Sequence, residues 1–442
     1  MKKRISFILV LFFGLFAFEA QAELSIDITG ARSEPMAVAM TDFAGNNEKA
    51  KELGKKIRDI IQADLESSGL FKVLDSYAYL QTFKGIDEAP RFVDWQAIRA
   101  EALVQGQVDY TNANQIRVSF RLWDVFSAEE LSSVALEIDN KGWRRVAHII
   151  ADTIYKRITG EEGYFDTRIV YVAETGSAIN RIKRLAIMDQ DGENHQFLTD
   201  GLNLVLTPRF SPNMQQITYM SYYRDTPRVY LFDIETGKQQ IVGDFPGMTF
   251  APRFSPDGHK LIMSMAEDGN TDIFEMNLDT RVVRQLTRHP AIDTSPSYSP
   301  DGKKIVFNSD RSGAQQLYVM DANGKNVRRI SFGAGRYATP VWSPRGDYIA
   351  FTKMQGRKFY IGVMFPDGTG ERLVAEGYLV EAPTWSPNGR LLMYFRQDPP
   401  GFDGIPGATK IYAVDITGYN ERRLITPVDA SDPAWSPLLS NR

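Results

Sequence analysis

The sequence contains no cysteine, and this absence excludes several classes of site. Without cysteine the chain has no disulfide framework, no thiol nucleophile and no lipid-modified cysteine anchor. Basic residues are not in excess either, because 51 Lys and Arg stand against 55 Asp and Glu, a formal net charge of −4 at pH 7. Nothing in the overall charge resembles the positive field that nucleic-acid-binding proteins use, so we expect no nucleic-acid partner.

Long apolar runs are scarce, and the most prominent one lies at the N-terminus. Lys2, Lys3 and Arg4 precede an apolar run over residues 5–18, and Ala20-Gln-Ala22 follows it. A basic start, a short apolar stretch and an A-x-A site are typical of a secretory signal peptide. We therefore predict a signal peptide over residues 1–22, with an uncleaved membrane anchor as the alternative. No later stretch approaches 18 apolar residues, so we expect the mature protein to be soluble, without a membrane span.

Catalytic and metal-binding motifs are equally scarce. The chain has four histidines, no H-E-x-x-H motif and no G-x-S-x-G motif. The turn Asp189-Gln-Asp-Gly192 lacks the remaining ligands of a calcium loop. The sequence therefore gives no positive indication of an enzyme, and we expect no catalytic residue, no metal site and no cofactor.

The sequence is instead dominated by one short phrase, Pro-x-aromatic-Ser-Pro, which occurs six times at steps of 43 to 50 residues. A period in this range with short β-type segments predicts a β-propeller in which each repeat is one four-stranded blade. The aromatic residue of each phrase is best explained by packing between blades. The six phrases are Pro208–Pro212, Pro252–Pro256, Pro296–Pro300, Pro340–Pro344, Pro383–Pro387 and Pro433–Pro437.

The number of predicted strands shows how the ring closes. Strands predicted at 168–174, 184–189 and 196–198 precede the first phrase, and the last phrase has no strands after it. Five complete blades and one blade assembled from both ends of the domain make six, and this closure removes an open sheet edge. We predict an all-β six-bladed propeller over residues 161–442, closed by the C-terminal strand. A closed ring needs no second copy, so we expect a monomer.

The preceding residues 23–160 carry no repeat and predict a separate α/β domain. Met36–Met40 is typical of a buried strand, and apolar residues recur at helical spacing from Glu48 onward. A second helix is predicted over residues 94–103 with Asp94 as its N-cap, and a third over residues 143–158. Strands predicted between the last two helices complete a mixed sheet covered by helices.

The segments just before each innermost strand are predicted to be loops at one mouth of the propeller channel. They contain Met, Phe, Tyr and Leu together with a few polar residues, over residues 245–251, 290–295, 334–339 and 377–382. Loops of this composition on a rigid scaffold are typical of protein-binding surfaces. We therefore expect a protein partner at this mouth, while closure of turns by scattered surface residues remains the alternative.

These features together resemble one family of proteins. A signal peptide, a small α/β domain, the entry strand 167–172, six repeats and the closing Pro433-Ala-Trp-Ser-Pro-Leu438 resemble the TolB family of the Tol–Pal system over the whole chain. The resemblance implies a periplasmic, non-enzymatic adaptor between the inner-membrane Tol proteins and the lipoprotein Pal. It further implies a role in maintaining the outer membrane and its constriction during cell division.

The resemblance also implies two partner-binding regions. Pal docks at one mouth of the propeller in this family, and a family histidine of the first mouth loop is replaced here by Met248. The residues implied at that mouth are Met248, Thr249, Phe250, Asp293, Thr294, Ser295, Tyr337, Thr339 and Glu381. An N-terminal acidic strand contacts TolA in this family, and the residues in its place are Glu23, Leu24, Ser25, Ile26 and Asp27.

Two enzymatic alternatives remain open at the level of sequence. A propeller that accompanies a peptidase needs an additional catalytic α/β domain with a nucleophile elbow. A carbohydrate-active propeller needs paired carboxylates in its channel, for which Asp293 and Glu381 are candidates. Two carboxyl groups facing each other in a pocket would favour that second alternative.

Overall fold

The computed structural model describes residues 24–25, 34–177, 180–213, 216–223, 226–243, 245, 248–402 and 404–439. The first described domain is a mixed sheet with helices. Its elements are β1 Met36–Met40, β2 Ala44–Gly45, α1 Glu48–Ser67, β3 Phe71–Val73, α2 Phe92–Ala97, β4 Ala102–Tyr110, β5 Gln115–Asp124, β6 Glu130–Asp139 and α3 Trp143–Thr159. The strands lie in the order β3-β1-β4-β5-β6, with β2 beside β4.

The two long helices form where capping groups and apolar spacing agree. The Asn47 side chain accepts a hydrogen bond from the amide of Ala50 at 2.9 Å, which satisfies a donor of the first turn of α1. Helix α3 ends where Gly160 adopts a φ of 73°, a conformation in which glycine has no Cβ to clash. The apolar faces of α1 and α3 pack together over the sheet and form the core of this domain.

Helix α2 differs from the prediction. It covers only Phe92–Ala97, and Asp94 lies in its first turn rather than at the N-cap. The Asp94 carboxylate pairs with Arg91 at 2.7 Å, so it is engaged by a side chain instead of by backbone amides. Arg99 has a φ of 61°, a left-handed conformation that ends the helical geometry and lets β4 begin at Ala102.

The remaining strands form six antiparallel four-stranded sheets, which confirms the predicted fold class. In chain order the strands are β7 Arg168–Thr175, β8 Ile182–Asp189, β9 Gln196–Phe197, β10 Val205–Phe210, β11 Gln216–Tyr223, β12 Thr226–Asp233, β13 Gln239–Gly243, β14 Met248–Phe254, β15 Lys260–Glu267, β16 Asn270–Asn277, β17 Val283–Gln285, β18 Asp293–Tyr298, β19 Lys304–Ser309, β20 Gln316–Asp321, β21 Arg328–Arg329, β22 Arg336–Trp342, β23 Ile349–Gln355, β24 Lys358–Met364, β25 Arg372–Gly377, β26 Leu379–Trp385, β27 Leu391–Gln397, β28 Thr409–Asp415, β29 Arg422–Arg423 and β30 Asp429–Trp435.

Five blades are continuous in sequence and the sixth is not. Blades 1 to 5 are β10–β13, β14–β17, β18–β21, β22–β25 and β26–β29, whereas blade 6 has the order β30-β7-β8-β9. Its innermost strand therefore comes from the C-terminal end of the chain. Ser436 and Arg168 continue this pairing with two hydrogen bonds of 2.9 Å each.

Each innermost strand contains a β-bulge at the residue that precedes the phrase proline. The pairing register shifts at this position in all six blades, and the preceding residue has a positive φ. A bulge leaves one residue unpaired and redirects the side chains around it. The six bulge residues and their φ values are Thr207 at 48°, Ala251 at 52°, Ser295 at 55°, Thr339 at 45°, Ala382 at 55° and Asp432 at 49°.

The aromatic residues of the phrases contribute to packing between neighbouring blades, as predicted. The Trp385 indole donates a hydrogen bond to the carbonyl of Val341 in the preceding blade at 3.0 Å. Trp342 and Trp435 are also buried, and each belongs to a hydrophobic cluster that spans two blades. The phrase therefore supplies both the end of the innermost strand and the contact with the next blade.

The core of the N-terminal domain continues into the propeller. One cluster of buried apolar side chains includes Ile154 and Ile158 of α3 together with Leu391, Met393 and Trp435 of blades 5 and 6. The ring of Tyr164, in the segment that joins the domains, packs edge-on against Trp435 at 5.7 Å between centroids. The two domains therefore share buried apolar surface, which is removed from water only when they are in contact.

Candidate functional site

The channel of the propeller has two different mouths. The innermost strands of all six blades end at the mouth with the Ser-Pro turns, here called the Ser-Pro mouth. A cavity of about 340 Å³ lies there, lined by phrase residues of every blade, among them Phe210, Phe254, Pro300, Trp342, Trp385 and Trp435. The opposite mouth, here called the entry mouth, is where the same six strands begin.

The N-terminal domain packs on the Ser-Pro side of the ring. Glu161 pairs with Arg345 at 2.7 Å and with Arg390 at 2.6 Å, and both arginines lie in turns that follow the phrases of blades 4 and 5. Asn388 in the same turn of blade 5 donates a hydrogen bond to the carbonyl of Glu162 at 3.0 Å. These contacts hold the domain at the Ser-Pro face and leave the entry mouth on the other side of the propeller.

A buried polar network reinforces this contact between the domains. His148 of α3 is 3% exposed and its Nδ1 lies 2.6 Å from Oδ2 of Asp64 in α1. Gln190, in the turn after β8 of the propeller, donates to the other oxygen of Asp64 at 2.8 Å. Burial opposes the protonation of His148, but Asp64 and the nearby Asp191 and Asp189 raise the pKa of His148 to about 9. These carboxylates therefore favour the protonated imidazole at neutral pH.

The same network contains the one group of potential metal ligands in the described part of the chain. Ligand atoms of His148, Asp189 and Asp191 lie within 4.8 Å of one another. Two of these side chains are already engaged, since Arg144 pairs with Asp191 and Asn194 donates to Asp189 at 2.6 Å. As it stands, the group is an ion-pair network that connects the two domains.

The segments predicted to be loops at the entry mouth are mostly strand. Residues 248–251, 293–295, 336–339 and 379–382 are the first halves of β14, β18, β22 and β26 and pair with the second strand of each blade. The sequence did not reveal this because the bulge interrupts the alternation of buried and exposed side chains. The predicted residues are nevertheless brought together at one end of four neighbouring innermost strands.

Three of the predicted partner-binding residues are fully buried. Thr249, Asp293 and Tyr337 are each 0% exposed. Arg311 donates to both oxygens of Asp293, at 3.0 and 2.8 Å, and the Tyr337 hydroxyl donates to Glu371 at 2.8 Å. In this structure these three side chains face protein groups rather than solvent.

Five further predicted residues are partly exposed, namely Phe250, Thr294, Ser295, Thr339 and Glu381. Thr294 accepts a hydrogen bond from the amide of the Asn308 side chain at 2.7 Å, and Thr339 is 2.8 Å from the hydroxyl of Thr352. The backbone of Met248 pairs with Ala266. These residues form a continuous rim on blades 2 to 5.

Charged residues of the innermost strands make the channel polar, and three of them, Asp432, Arg209 and Arg253, were missed by the sequence analysis. Burial raises the pKa of Glu381 to about 7, with a smaller contribution from Asp432. Burial also raises the pKa of Asp432, while Arg209 acts in the opposite direction. Arg209 and Arg253 occupy the variable position of the phrase in blades 1 and 2, and this position was the signal that could have identified them.

The two candidate catalytic carboxylates have different neighbours. Asp293 is held by Arg311, whereas the acidic neighbour that affects the pKa of Glu381 is Asp432. A carbohydrate-active site requires two carboxyl groups that face each other across a substrate. Asp293 is fully buried and both of its oxygens accept hydrogen bonds from Arg311, so its carboxylate faces that guanidinium group.

The predicted N-terminal strand lies largely outside the described residues. This applies to Glu23, Ile26 and Asp27, whereas Leu24 and Ser25 are described. Leu24 packs against the apolar core that continues between the domains, and Ser25 is exposed. Within the described ranges, no helix has both the length and the apolar character needed to cross a bilayer.

Comparison with known proteins identifies relatives of both halves of the chain. Family models of the TolB amino-terminal domain and the TolB beta propeller domain match residues 24–131 and 155–439. Tol-Pal system protein TolB of Paramagnetospirillum magneticum is 61% identical over 420 residues, covering 95% of this chain and 94% of that protein. The corresponding protein of Pelagibacter ubique is 57% identical over 442 residues, covering 98% and 99%.

A solved structure agrees with these matches. The crystal structure of TolB from Acinetobacter baumannii has a TM-score of 0.82 to this chain at 28% sequence identity. The similarity covers 94% of this chain and all of that one. The order of the two domains and the closed propeller are therefore common to the matched proteins.

Proposed function

Because the chain belongs to the TolB family of the Tol–Pal system, we propose that it is the periplasmic adaptor that links the inner-membrane Tol proteins to Pal. In this role it binds proteins and catalyses no reaction. Its two domains act together to maintain the outer membrane and to support its constriction during cell division. The relatives are named as components of the system, not for a reaction, which supports this proposal.

The observation that carries the proposal is the arrangement of the two mouths. The N-terminal domain lies against the Ser-Pro side through Glu161 and its arginine partners. The entry mouth lies on the other side, and its rim combines aromatic, hydroxyl and carboxyl groups on rigid strands. A rim of this kind is suited to a folded protein partner, because the strands hold the contact groups in place before binding.

We place the Pal-binding surface on the partly exposed rim residues Phe250, Thr294, Ser295, Thr339 and Glu381, with Met248 at its edge. The buried residues Thr249, Asp293 and Tyr337 lie beneath this rim. Asp293 and its partner Arg311 fix the start of β18, which carries Thr294 and Ser295. In the proposal these buried residues hold the rim in position and the exposed residues contact Pal.

The proposal is tested by titrating the mature chain, residues 23–442, with the soluble domain of Pal from the same organism. Thr294→Arg places a long charged side chain on the rim and should abolish binding. Gln240→Arg introduces the same charge on the exposed outer strand β13 and should leave the dissociation constant unchanged. Absence of binding by the wild-type chain at tens of micromolar, or equal affinities for all three proteins, would contradict the proposal.

We propose further that the N-terminal segment Glu23–Asp27 is the contact for TolA. The packing of Leu24 against the core between the domains supports a docked state at this residue. An extended segment that leaves this position can add to the sheet edge of a partner, a common mode of peptide recognition. Docked and released states of the segment would couple TolA binding to Pal binding.

Deletion of residues 23–30 tests this coupling. The truncated chain should lose TolA binding and should bind Pal with an altered dissociation constant, because the equilibrium between the two states is removed. A matched variant, Leu24→Ser, removes the apolar contact and keeps the length of the segment. Identical Pal affinities for the wild-type chain and both variants would show that the segment and the rim are independent.

A further inference from the structure

We propose that Arg209 and Arg253 form a binding site for a carboxylate inside the propeller channel. The site is distinct from the rim and does not depend on the identity of the protein that docks there. The ligand class is a small monocarboxylate, or a single carboxylate group carried by a longer molecule.

The two arginines occupy the same position of the repeat. Both directly follow the phrase proline, on the innermost strands of the adjacent blades 1 and 2. The other four blades have small or apolar residues at this position, all of them buried, namely Ser297, Val341, Thr384 and Ala434. Packing between blades therefore does not require a charged side chain at this position of the phrase. The presence of two guanidinium groups is not explained by packing.

The contacts of the small residues show what the position does in the other blades. Ser297 accepts a hydrogen bond from the amide of Trp342 in the next blade at 3.3 Å, and Thr384 accepts one from the amide of Trp435 at 3.3 Å. An arginine offers only donors and cannot make this contact. Arg209 and Arg253 also stay partly exposed, unlike the four small residues.

The two arginines differ in how their positive charges are compensated by neighbouring groups. Arg209 lies near Asp432 of the neighbouring blade 6; burial raises the pKa of Asp432, and the positive charge of Arg209 acts in the opposite direction. Arg209 also donates to the carbonyl of Pro208 at 2.6 Å. The guanidinium group of Arg253 has no hydrogen-bond or ion-pair partner within the part of the chain that the structure describes. Burial, together with the positive charge of Arg209, lowers the pKa of Arg253. Among the described residues, the guanidinium group of Arg253 is thus left without a paired carboxylate.

The chemistry of this group selects the ligand. A guanidinium group presents paired N–H donors that match the two oxygens of a carboxylate, and such bidentate pairs are strong where water is partly excluded. Because Asp432 offsets the charge of Arg209 and burial favours the protonated form of Glu381, the charge of Arg253 remains, and a monoanion neutralises it. A carboxylate therefore suits the site better than a dianion such as phosphate.

The proposal is tested by recording the Nε–H signals of the arginine side chains by NMR during titration of the mature chain with propionate. Ionic strength is kept constant, and propionamide serves as the uncharged ligand of equal shape. The signal of Arg253, assigned by its absence in Arg253→Met, should move saturably with propionate and not with propionamide, with a dissociation constant on the order of 1 mM. The signal of Arg357, which lies exposed in the hairpin between β23 and β24, should not move.

Two variants complete the test. Arg253→Met should weaken propionate binding at least about tenfold, measured by calorimetry, as expected for loss of a charged hydrogen-bonded contact. Arg357→Gln should leave binding unchanged. If Arg253→Met does not fold, Arg253→Lys keeps the charge and loses the paired donors, so it should fold and bind more weakly. Absence of saturable movement at Arg253, or equal movement with propionamide, would overturn the proposal.

A final titration identifies the source of the carboxylate. Propionate-loaded protein is mixed with the soluble domain of Pal, and the Arg253 signal is followed. Displacement of propionate assigns the carboxylate to the docked protein, and retention of propionate assigns it to a free small molecule. The site itself is supported by either outcome, because both require that propionate was bound at Arg253.

Discussion

The indole nitrogen of Trp435 donates a hydrogen bond to the hydroxyl of Thr167 at 2.8 Å, across 268 positions of sequence. Trp435 ends the innermost strand of blade 6, and Thr167 immediately precedes the second strand of that blade, β7. The bond therefore lies at the junction where the two ends of the propeller meet. Both groups are buried, and the Thr167 hydroxyl also donates to the carbonyl of Tyr164 at 2.6 Å, so loss of the indole leaves this hydroxyl without its donor in a dry environment.

We predict that Trp435→Phe lowers the free energy of unfolding by about 1–3 kcal/mol, because it removes this donor and leaves the Thr167 hydroxyl buried without its donor. Urea denaturation of the mature chain measures the effect. Trp342→Phe is the matched control, since its indole donates to Gly346 within its own blade at a longer 3.3 Å. Equal losses of unfolding free energy in Trp435→Phe and Trp342→Phe would show that the junction contributes no more to stability than an ordinary blade.

Removal of residues 433–442 takes away the whole phrase of blade 6 and with it the pairing of Ala434 and Trp435 with β7. We predict a lower midpoint of thermal unfolding and increased binding of a hydrophobic dye, because the start of β7 becomes an open sheet edge and apolar surface is uncovered. Removal of residues 440–442 alone, which lie beyond the phrase, is the control. Unchanged thermal unfolding of the longer truncation would contradict the closure argument.

The buried imidazole of His148 should make the contact between the domains dependent on pH. Its pKa is raised from 6.5 to about 9 in the folded chain, so its stabilising effect is complete below pH 6.5 and is lost as the pH rises through 9. We predict that His148→Gln costs more stability at pH 6 than at pH 10, by roughly 3 kcal/mol for a shift of this size. Urea denaturation at both pH values measures the difference. His289→Gln, at an exposed histidine, should show no such difference.

Substitution of Glu381 should have the opposite effect on stability at neutral pH from substitution of His148. Its pKa is raised from 4.5 to about 7, so the folded chain favours the protonated carboxyl group, and this contribution is lost as the pH rises through 7. We predict that Glu381→Gln has little effect at pH 4.5 and stabilises the protein at pH 8 by on the order of 2 kcal/mol, a value reduced because the channel admits water.

The control for Glu381 is Glu376→Gln at an exposed position of β25, where the change should be small at both pH values. The measurement is the free energy of unfolding as a function of pH. If Glu381→Gln raises the free energy of unfolding equally at pH 4.5 and pH 8, burial of the charge is not the cause of the stabilisation.

The number of blades and their boundaries were predictable because every blade repeats the same local chemistry. Pro208 and its five equivalents mark the innermost strand, and the Ser-Pro turn marks its end. The bulge at Ser295 and its equivalents was not predictable in this way. A left-handed serine or threonine is set by pairing with the neighbouring strand, and local propensity gives no sign of it. For this reason the first halves of four strands were predicted to be loops.

The candidate site was also predictable from the sequence only in part. Thr294 and Glu381 were placed at the correct end of the ring because they sit at a fixed distance from the phrase. Burial of Asp293 depends on Arg311, which lies across a hairpin and bears no motif. The His148 network joins residues of both domains, and sequence spacing gives no information about such a contact.

The apolar core that joins helix α3 to blades 5 and 6 has a mechanical consequence. Ile154 and Ile158 are buried in the same cluster as Leu391 and Met393, so sliding one domain over the other requires water to enter that cluster. A pulling force applied to either domain would therefore be carried across a broad dry contact and not through the connecting peptide alone. We therefore expect the two domains to move as one body under force until this cluster opens.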